Sequence, residues 1–266
     1  MRAVHRPSQT GPDRHSQGDP FVVGPGPYGD GIWAGRAARI GGSRLISVCV
    51  CTRDEAGQIE ELLDHLRALP GRWEVLVADG GSADGTLELS RAHASTPRVL
   101  SVPGGRAAQL NAAAALATGG VLVFLHADSR LPRDAHTLLS RTPARGGNFA
   151  LRFDGEDRFS RVLGAVYAMQ RRLGLYYGDS TVWCDRGLFA ELGGYRELPI
   201  MDDYDFVRRL ERATRTACLP GPAVTSSRRW RAMGAPRTFL VWTVIRWLYL
   251  AGVPPERLSR LYRRVR

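Results

Sequence analysis

The stretch Leu45-Ile46-Ser47-Val48-Cys49-Val50-Cys51 is an apolar, β-branched run that ends directly at the polar residues Thr52-Arg53-Asp54-Glu55. An unbroken apolar run of this length predicts a strand buried on both faces, as strands are in parallel sheets. A helical pattern follows, with apolar residues three and four positions apart from Ile59 to Leu69 and a Pro70-Gly71 stop signal. This order of strand, polar loop and helix indicates a β-α-β unit.

The alternation continues along the chain. Further strands are predicted at 73–78, 99–102 and 121–125, and helices at 86–93 and 107–117. From residue 147 the pattern becomes α+β, with strands predicted at 148–153 and 181–184 and helices at 158–173, 187–192 and 204–212. The sequence therefore predicts an α/β protein with a mainly parallel, Rossmann-like sheet flanked by helices and an α+β second half.

The composition is that of a globular chain with an excess of positive charge. Of 266 residues 44% are hydrophobic and 24% charged, which excludes collagen-like, disulfide-scaffold and wholly disordered classes. The net charge is +11, and every basic side chain is an arginine because the sequence contains no lysine. Residues 208–266 hold 14 arginines and two acids, so a phosphate-rich or anionic partner is expected for this segment.

The first 43 residues contain nine glycines and five prolines without apolar periodicity, which predicts a disordered tail. This segment has neither the apolar stretch of a signal peptide nor the pattern of a transit helix, so a cytoplasmic protein is expected. Four cysteines without metal-site spacing predict four buried, reduced thiols, at Cys49, Cys51, Cys184 and Cys218.

The C-terminal residues 238–253 are strongly apolar, but Arg246 interrupts them and Pro254-Pro255 ends them, so they fall short of a membrane span. Two interpretations remain open. One is an interfacial helix at an anionic membrane surface, and the other is a core helix packed on the sheet. The first rests on flanking arginines and on the apolar side chains of Phe239, Trp242, Trp247, Leu248, Tyr249 and Leu250.

Polar residues collect where the predicted strands end, so three acidic loops should converge on one edge of the sheet. One loop is Asp79-Gly80-Gly81-Ser82-Ala83-Asp84, which matches neither a dinucleotide fingerprint nor a lysine-containing phosphate loop. Asp84 is expected to cap the next helix. Asp79 is interpreted as a ligand contact, with an Asx-turn as the alternative.

Two further segments suit a diphosphate and its metal ion. His126-Ala127-Asp128 follows a buried strand, and a Mg²⁺ or Mn²⁺ ion that bridges phosphates needs one or two protein carboxylates. A simple turn is the alternative there. The segment from Gly104 to Asn111 offers a glycine turn, Arg106 and two amides at a helix start, which suits anion contact.

Charge clusters mark the second half of the chain. In Met201-Asp202-Asp203-Tyr204-Asp205 the carboxylates should repel one another, which predicts a raised pKa and a general base. The alternative is that they only favour the N-terminus of a helix. Arg228-Arg229-Trp230 is either a solvated basic turn or a clamp for a leaving diphosphate.

Taken in order, these motifs resemble glycosyltransferase family 2, whose members have the GT-A fold, and most closely a bacterial branch associated with radical-SAM/selenodomain gene clusters. The resemblance runs from Ile46 to about Tyr262. Its pieces are Ile46-Ser47-Val48 through Asp54-Glu55, Val77 through Ser82, Gly105-Arg106 through Asn111, His126-Ala127-Asp128, Tyr177-Gly178-Asp179, Gly193-Gly194-Tyr195, Met201-Asp202-Asp203 and Arg228-Arg229-Trp230.

The resemblance implies a GT-A domain over 44–235, with a nucleotide-sugar half at 44–130 and an acceptor and catalytic half at 131–235. Basic-aromatic helices follow at 236–266. It implies Asp203 as the general base beside Asp202, and Asp128 with His126 as metal ligands. Gly178 and Asp179 precede a strand in the variable half and are expected on the acceptor side, with structural hydrogen bonding as the alternative for Asp179. The implied nucleotide-sugar contacts are Thr52, Glu55, Asp79, Gly81, Arg106, Asn111, Arg228, Arg229 and Trp230.

The sequence departs from the family pattern at four places. Cys51 replaces a proline, Asp54 an asparagine, Asp202 a glutamate, and His126 the first carboxylate of the D-x-D motif. The last change matters most, because imidazole suits Mn²⁺ better than Mg²⁺. Asp128 is therefore the firmer metal ligand of the two.

The expected function is that of a metal-dependent, inverting, hexosyltransferase-like enzyme. It would move a sugar from a nucleotide diphosphate to a hydroxyl acceptor, free or lipid-linked, in the cytoplasm at the inner face of the plasma membrane. A nucleotidyltransferase of related fold is one rival, although such enzymes usually place a lysine beside the phosphates. A basic lipid- or nucleic-acid-binding module is another, but the loop carboxylates would repel a phosphate backbone, so no nucleic acid partner is expected.

Overall fold

The structure, a computed structural model, describes residues 44–155 and 157–265. The predicted tail at 1–43 lies outside the described residues. Within the described part, the first half alternates strands and helices as the sequence predicts. Its elements are β1 (Ile46–Thr52), α1 (Ala56–Ala68), β2 (Trp73–Asp79), α2 (Thr86–Ala92), β3 (Arg98–Ser101), α3 (Arg106–Leu116) and β4 (Val121–His126).

The second half mixes short strands with helices. It comprises β5 (Ser129–Arg130), α4 (Ala135–Arg141), β6 (Gly146–Phe153), α5 (Arg158–Arg172), a short 3-10 helix (Gly178–Ser180), β7 (Val182–Asp185), α6 (Arg186–Glu191), α7 (Asp202–Ala213), β8 (Ala217–Thr225), α8 (Arg228–Met233), α9 (Ala235–Leu250) and α10 (Pro255–Val265). Sequence patterns missed β8, because its Pro220-Gly221-Pro222 is typical of a turn.

All eight strands join one sheet in the order β3-β2-β1-β4-β7-β6-β8-β5. Strands β3, β2, β1 and β4 are parallel to one another, and β6 is parallel to β8. The pairs β4-β7, β6-β7 and β5-β8 are antiparallel. The expectation of a mainly parallel sheet flanked by helices is confirmed. Both halves of the chain contribute to this sheet.

Strand β1 lies at the centre of the core and is buried along its whole length. Its Cys49 and Cys51 pack on one face of the sheet, in a cluster with side chains of α3, α6 and α7. Val48 and Val50 pack on the other face, with side chains of α1 and α4. The carboxyl ends of β1, β2 and β4 consequently lie at one edge between two helical layers.

The prediction of four buried thiols is wrong for one of them. Cys49, Cys51 and Cys184 are buried, whereas Cys218 is exposed. Cys218 lies in β8 near one end of the sheet, where it lines a cavity between this strand and α5. All four thiols are free, as the sequence predicts.

The backbone of Gly147 makes a contact that excludes any side chain. Gly147 has a φ of +155°, and a Cβ added to it would lie 1.9 Å from the carbonyl oxygen of Ala217 in β8. This contact sets the register of the parallel pair β6-β8, in which Gly147 lies opposite Ala217.

We expect Gly147→Ala to lower the free energy of unfolding by about 2 to 4 kcal/mol, because the two strands must separate to admit a methyl group. Urea unfolding followed by circular dichroism measures the loss. Gly57→Ala is the matched control, since a Cβ there meets nothing within 4 Å and α1 gains a better helix former. A Gly147→Ala protein as stable as the wild type would contradict this account of the register.

Candidate functional site

The loops after β1 and β2 are hydrogen-bonded to each other. The backbone N–H of Asp54 donates to Ser82 Oγ over 2.9 Å, and the N–H of Ala83 donates to Asp54 Oδ1 over 2.9 Å. Asp84 accepts from the N–H of Ala56 and from that of Thr86, the first residues of α1 and α2. The predicted capping role of Asp84 is confirmed, and it extends to both helices.

The carboxylate of Asp79 is used within its own loop. Its oxygens accept from Thr52 Oγ1 at 3.2 Å, from the N–H of Gly81 at 3.0 Å and from the N–H and hydroxyl of Ser82. Burial alone would raise the pKa of Asp79, but these donors hold it below its ordinary value. The structure thus shows the Asx-turn that was the alternative interpretation. A contact of Asp79 or Thr52 with a nucleoside stays a prediction, since both are almost fully buried.

The third loop approaches the first through an arginine. Arg228, the first residue of α8, lies 3.6 Å from Glu55 Oε2 and 3.8 Å from Asp128 Oδ2. Burial, together with the charge of Asp128, raises the pKa of Glu55, and Arg228 offsets part of that rise. The predicted convergence of the three acidic loops is confirmed. Asp128, Glu55 and Arg228 remain partly exposed there, so their charged atoms can reach a ligand.

His126 lies on the other side of this edge from Arg228, beside the acidic start of α7. Its Nδ1 is 3.7 Å from Cys51 Sγ, and its Nε2 faces Gly178 and Asp203. The structure therefore brings His126 together with the proposed base rather than with Glu55. Among the described residues no three His, Cys, Asp or Glu side chains form a metal-binding cluster. Ligation by His126 stays a prediction.

Arg106 joins the acidic segment at the start of α7 to the first half of the chain. Its guanidinium donates to both carboxylate oxygens of Asp202, with Nε 3.0 Å from Oδ2, and lies 3.3 Å from Asp203 Oδ1. Arg106 was expected to contact the nucleotide sugar. In this structure its donors are directed to Asp202 and Asp203 instead.

The pKa of Asp203 is lowered, so the expectation that repelling carboxylates raise a pKa in this cluster is wrong for Asp203. Burial acts to raise the pKa of Asp203, but Arg106, the N–H groups of Gly178 and Tyr204, and His126 together outweigh it. The N–H of Gly178 lies 3.0 Å from Oδ2, and that of Tyr204 lies 2.8 Å from Oδ1. Asp203 is consequently an ionised carboxylate held by named donors.

Gly178 permits this arrangement because it has no side chain. A Cβ on Gly178 would lie 3.0 Å from His126 Nε2 and 3.2 Å from Asp203 Oδ2, so these two side chains would have to move by a few tenths of an ångström to admit it. Nearby, Thr181 and Met201 have positive φ angles of 52° and 67°. Such strained backbone is often found at functional sites. Asp179 interacts with the hydroxyl of Tyr167, whose pKa burial and Asp179 both raise.

Other expected ligand contacts have structural roles. The amide of Asn111 binds the backbone of Tyr195 at both ends, with Nδ2 2.8 Å from the carbonyl oxygen and Oδ1 2.9 Å from the N–H. Trp230 is buried and packs edge-on against Phe153 and Tyr167. Ring stacking by Trp230 on a ligand stays a prediction. The side chain of Arg229 lies outside the described part of the chain.

Sequence analysis missed the contribution of α9 to this region. Arg246 is buried and donates to the hydroxyl of Tyr177 over 3.3 Å, and the hydroxyl of Tyr249 donates to Asp205 Oδ1 over 3.1 Å. The signal was present in the sequence, because a lone arginine within an apolar helix needs a polar partner. The inner face of α9 therefore supports the segments that carry Gly178 and Asp203.

Replacing Arg106 should raise the pKa of Asp203. In Arg106→Met the burial of Asp203 is opposed only by neutral donors and His126, so we expect the pKa of Asp203 to rise. Carbon-13 NMR titration of labelled aspartate side chains measures it, with Asp203→Asn for assignment. Arg106→Lys keeps the charge and is the matched control.

The sign of the linked pH dependence follows from the lowered pKa. A carboxylate whose folded-state pKa lies below its unfolded value stabilises the fold above the unfolded pKa, and this stabilisation disappears as the pH falls through the folded value. The wild-type protein should therefore lose the stability contributed by ionised Asp203 in acid. Arg106→Met should lack that stability already at neutral pH. An unchanged Asp203 titration in Arg106→Met would contradict the assignment of Arg106 as the cause.

The chain is similar to known proteins in part of its sequence and in its fold. Residues 47–142 match the model of Glycosyl transferase family 2. A mannosyltransferase of Pyrobaculum calidifontis, in complex with GDP-Man and Mn²⁺, superposes with a TM-score of 0.53 at 24% identity, covering 69% of this chain and 56% of that one. TarS 1–349 of S. aureus, in complex with UDP-GlcNAc, superposes with a TM-score of 0.54 at 15% identity, covering 69% and 58%.

The mannosyl-3-phosphoglycerate synthase of Rubrobacter xylanophilus superposes with a TM-score of 0.50 at 22% identity, covering 79% of this chain and 75% of that one. This chain spans little more than half the length of the first two structures. No curated protein sequence matches it significantly. The family match covers the strands and loops around Glu55, Asp79 and Asp128. Residues 47–142 match the glycosyl transferase family 2 model, and the chain has the GT-A fold of these solved structures.

Proposed function

We propose that this protein transfers a sugar from a nucleotide-diphosphate donor to a hydroxyl group of an acceptor, with inversion at the anomeric carbon. The observation that carries the proposal is the position of Asp203. This largely buried carboxylate, whose side chain is 14% exposed, is held ionised by Arg106 and Gly178, beside the sheet edge where the family segment presents Glu55 and Asp128. A base and a charged binding surface at one edge are what glycosyl transfer requires.

The donor half of the reaction is assigned to the edge formed by the three loops. Glu55 and Arg228 are its exposed charged groups, and Asp79, Thr52 and Gly81 shape the loop behind them. A guanidinium such as that of Arg228 binds phosphate oxygens by charge-assisted hydrogen bonds. Binding of the donor diphosphate would give Arg228 a stronger anionic partner than the two carboxylates it now approaches at 3.6 and 3.8 Å.

The residues present fit a divalent cation held mainly by the donor. Asp128 is a partly exposed carboxylate beside Glu55, and Mg²⁺ or Mn²⁺ commonly binds one or two carboxylates together with substrate phosphates. Asp128 would be the protein ligand, and the ion would supply charge neutralisation of the departing diphosphate. GDP-Man and Mn²⁺ accompany the Pyrobaculum calidifontis mannosyltransferase, which supports this part of the proposal.

The acceptor half of the reaction is assigned to Asp203. Its carboxylate takes the proton of the acceptor hydroxyl while the hydroxyl oxygen forms a bond to the anomeric carbon. The bond from that carbon to the diphosphate oxygen breaks, and its electron pair leaves with the nucleoside diphosphate. A single displacement of this kind attacks the face opposite the leaving group, which inverts the configuration. Gly178 and Arg106 orient the carboxylate throughout.

We further propose that the protein acts in the cytoplasm at the inner face of the plasma membrane, on a lipid-linked acceptor. No helix in the described part of the chain is both long and apolar enough to cross a bilayer.

Helix α9 instead has two faces. The side chains that pack inward are Trp242, Ile245, Leu248 and Tyr249. Its outward face exposes Leu240 and Trp247, each 63% exposed, together with Phe239, Val244 and Leu250. An apolar face beside the exposed Arg237, Arg257 and Arg260 is typical of helices at anionic lipid surfaces.

The base assignment predicts a large effect of Asp203→Asn. The amide keeps the shape of the side chain but cannot take a proton, so turnover should fall by roughly 10² to 10⁴ while donor affinity barely changes. Release of nucleoside diphosphate from a panel of nucleotide sugars with Mn²⁺ measures turnover. Asp202→Asn should lose less activity, and by disturbing Arg106 it should shift the pH profile. Equal losses in both variants, or release of pyrophosphate from a nucleoside triphosphate by the wild type, would count against glycosyl transfer by Asp203.

The metal assignment predicts that EDTA abolishes turnover and that Mn²⁺ restores it at least as well as Mg²⁺. Asp128→Ala should weaken nucleotide-sugar binding in the presence of Mn²⁺ without lowering the thermal midpoint, because Asp128 is partly exposed and lies at a loop. Asp134→Ala, at the start of α4, is a carboxylate control away from the site. Full activity of Asp128→Ala in EDTA would remove the ion from the mechanism.

The membrane assignment predicts sedimentation with vesicles rich in anionic lipid, independent of substrate and weakened by salt. Replacing both Leu240 and Trp247 by serine should weaken binding about tenfold or more, because two exposed apolar side chains no longer enter the headgroup layer. Serine replacements of Val162 on α5 and of Leu173 directly after it, both exposed apolar side chains, are the control. Protein that stays in the supernatant at low salt would show that α9 is only a core helix.

A further inference from the structure

The C-terminal half of helix α5 lies over a cavity, whereas Phe159 and Leu163 in its N-terminal half pack in a core cluster with Phe153 and Trp230. The helix has 15 residues, of which only Ser160 and Leu163 are buried. Beneath it, a cavity of about 430 Å³ separates α5 from β6 and β8. Its walls are mostly apolar, with Phe149 and Leu151 from β6, Cys218 from β8, and Tyr167 and Ala168 from α5. This volume is in the usual range for small-molecule sites.

A basic cleft of about 570 Å³ adjoins this cavity, where the C-termini of α5 and α7 meet. The cavity and the cleft share Arg171, Arg172 and Thr216. Arg171 is already occupied, because it lies 3.6 Å from Glu211 and binds Asn148 and Thr216. Arg172 and Arg215 are exposed, and within the described residues no acid pairs with either of them. The cleft therefore has positive charge available for an anion.

One buried polar atom also faces this region. Tyr176 is 1% exposed and lines the cavity, and its hydroxyl interacts with Glu211 and Thr216 of the cleft without a short hydrogen bond to either. A ligand with a polar group at the inner end of the cleft would give this buried hydroxyl a closer partner.

We propose that the cavity and cleft together bind an amphiphilic anion, with an alkyl chain beneath α5 and a phosphate or carboxylate at Arg172 and Arg215. The alkyl chain would fill the apolar space beneath the C-terminal half of α5, and the acid group matches the two unpaired guanidinium groups. A neutral apolar molecule would leave the cleft unmatched, and a free anion would leave the cavity unfilled.

This site is separate from the proposed catalytic one. Helix α7 begins at Asp202 beside the base and ends at Ala213 in the cleft, and its 12 residues span about 17 Å. The inner end of the cavity is nevertheless bordered by Tyr167 and Ser180. Ser180 belongs to the same short 3-10 helix as Gly178, and Tyr167 interacts with Asp179. An alkyl chain in the cavity therefore packs against residues that support the acceptor side.

Cys218 gives a direct measure of occupancy. It lines the cavity and is exposed, whereas the other three cysteines are buried. In the full-length protein, N-ethylmaleimide should alkylate Cys218 alone, with Cys218→Ser as the unreactive reference. Dodecyl phosphate or dodecanoate, below the concentration at which each forms micelles, should slow this alkylation at least tenfold and saturably. Comparison of the two shows whether the head group is a phosphate or a carboxylate.

Two variants test the two parts of the site. Ala168→Trp fills the cavity and should abolish the protection, while Val162→Trp, on the exposed side of α5, should retain it. Replacing both Arg172 and Arg215 by glutamine should weaken the apparent affinity about tenfold, with Arg161→Gln as the charge control on the same helix. Thermal midpoints of all variants verify folding.

Three outcomes would overturn the proposal. The first is that neither amphiphile slows alkylation of the wild type. The second is equal protection in Ala168→Trp, and the third is equal protection by inorganic phosphate or by neutral dodecyl maltoside. Inorganic phosphate alone would indicate a simple anion site, and dodecyl maltoside alone would indicate an apolar pocket without charge recognition.

Discussion

The ion pairs between Arg106 and the two carboxylates at the start of α7 fix the position of one half of the molecule relative to the other. Arg106 begins α3 in the first half, and Asp202 and Asp203 begin α7 in the second. Buried charges are costly to desolvate, so such a group is tolerated only when every partner is in place. Asn111, one turn further along α3, adds two hydrogen bonds to the backbone of Tyr195. Helix α3 thereby fixes where the proposed base lies relative to the donor loops.

This arrangement serves the proposed chemistry and also constrains it. A carboxylate held below its ordinary pKa is ionised across the physiological range, so it is ready to take a proton at any such pH. The same interaction makes it a weaker base than a buried carboxylate without an arginine would be. The proposed mechanism therefore relies on orientation of Asp203 by Gly178 and Tyr204 more than on its intrinsic basicity. A mutation that removes the contact between Arg106 and Asp203 would make Asp203 a stronger base but would lower its ionised fraction at a given pH.

The sequence predicts those features that depend on neighbours along the chain, and it fails where distant residues decide. Strand β1 and the loop carboxylates were predictable because apolar runs and polar strand ends are local patterns. The lowered pKa of Asp203 was not, because Arg106 lies 96 residues from Asp202 in the chain and only the fold brings them together. Strand β8 was missed because Pro220 and Pro222 are tolerated there by a bulged pairing with β6. Helix α9 packs one face on the protein and exposes apolar side chains on the other, a difference that a single apolar run in the sequence cannot show.

The ends of the sheet bear on how copies of the chain behave toward one another. The outermost strands of the described sheet are β3, with four residues, and β5, with two. An edge strand exposes unpaired backbone donors and acceptors to any passing chain, and its capacity to recruit another strand grows with its length. Edges this short offer few such groups, although the strands between them are rich in valine, leucine and cysteine. The folded protein is thus protected against edge-to-edge aggregation, and that protection lasts only while β1 and β2 stay covered by their neighbours.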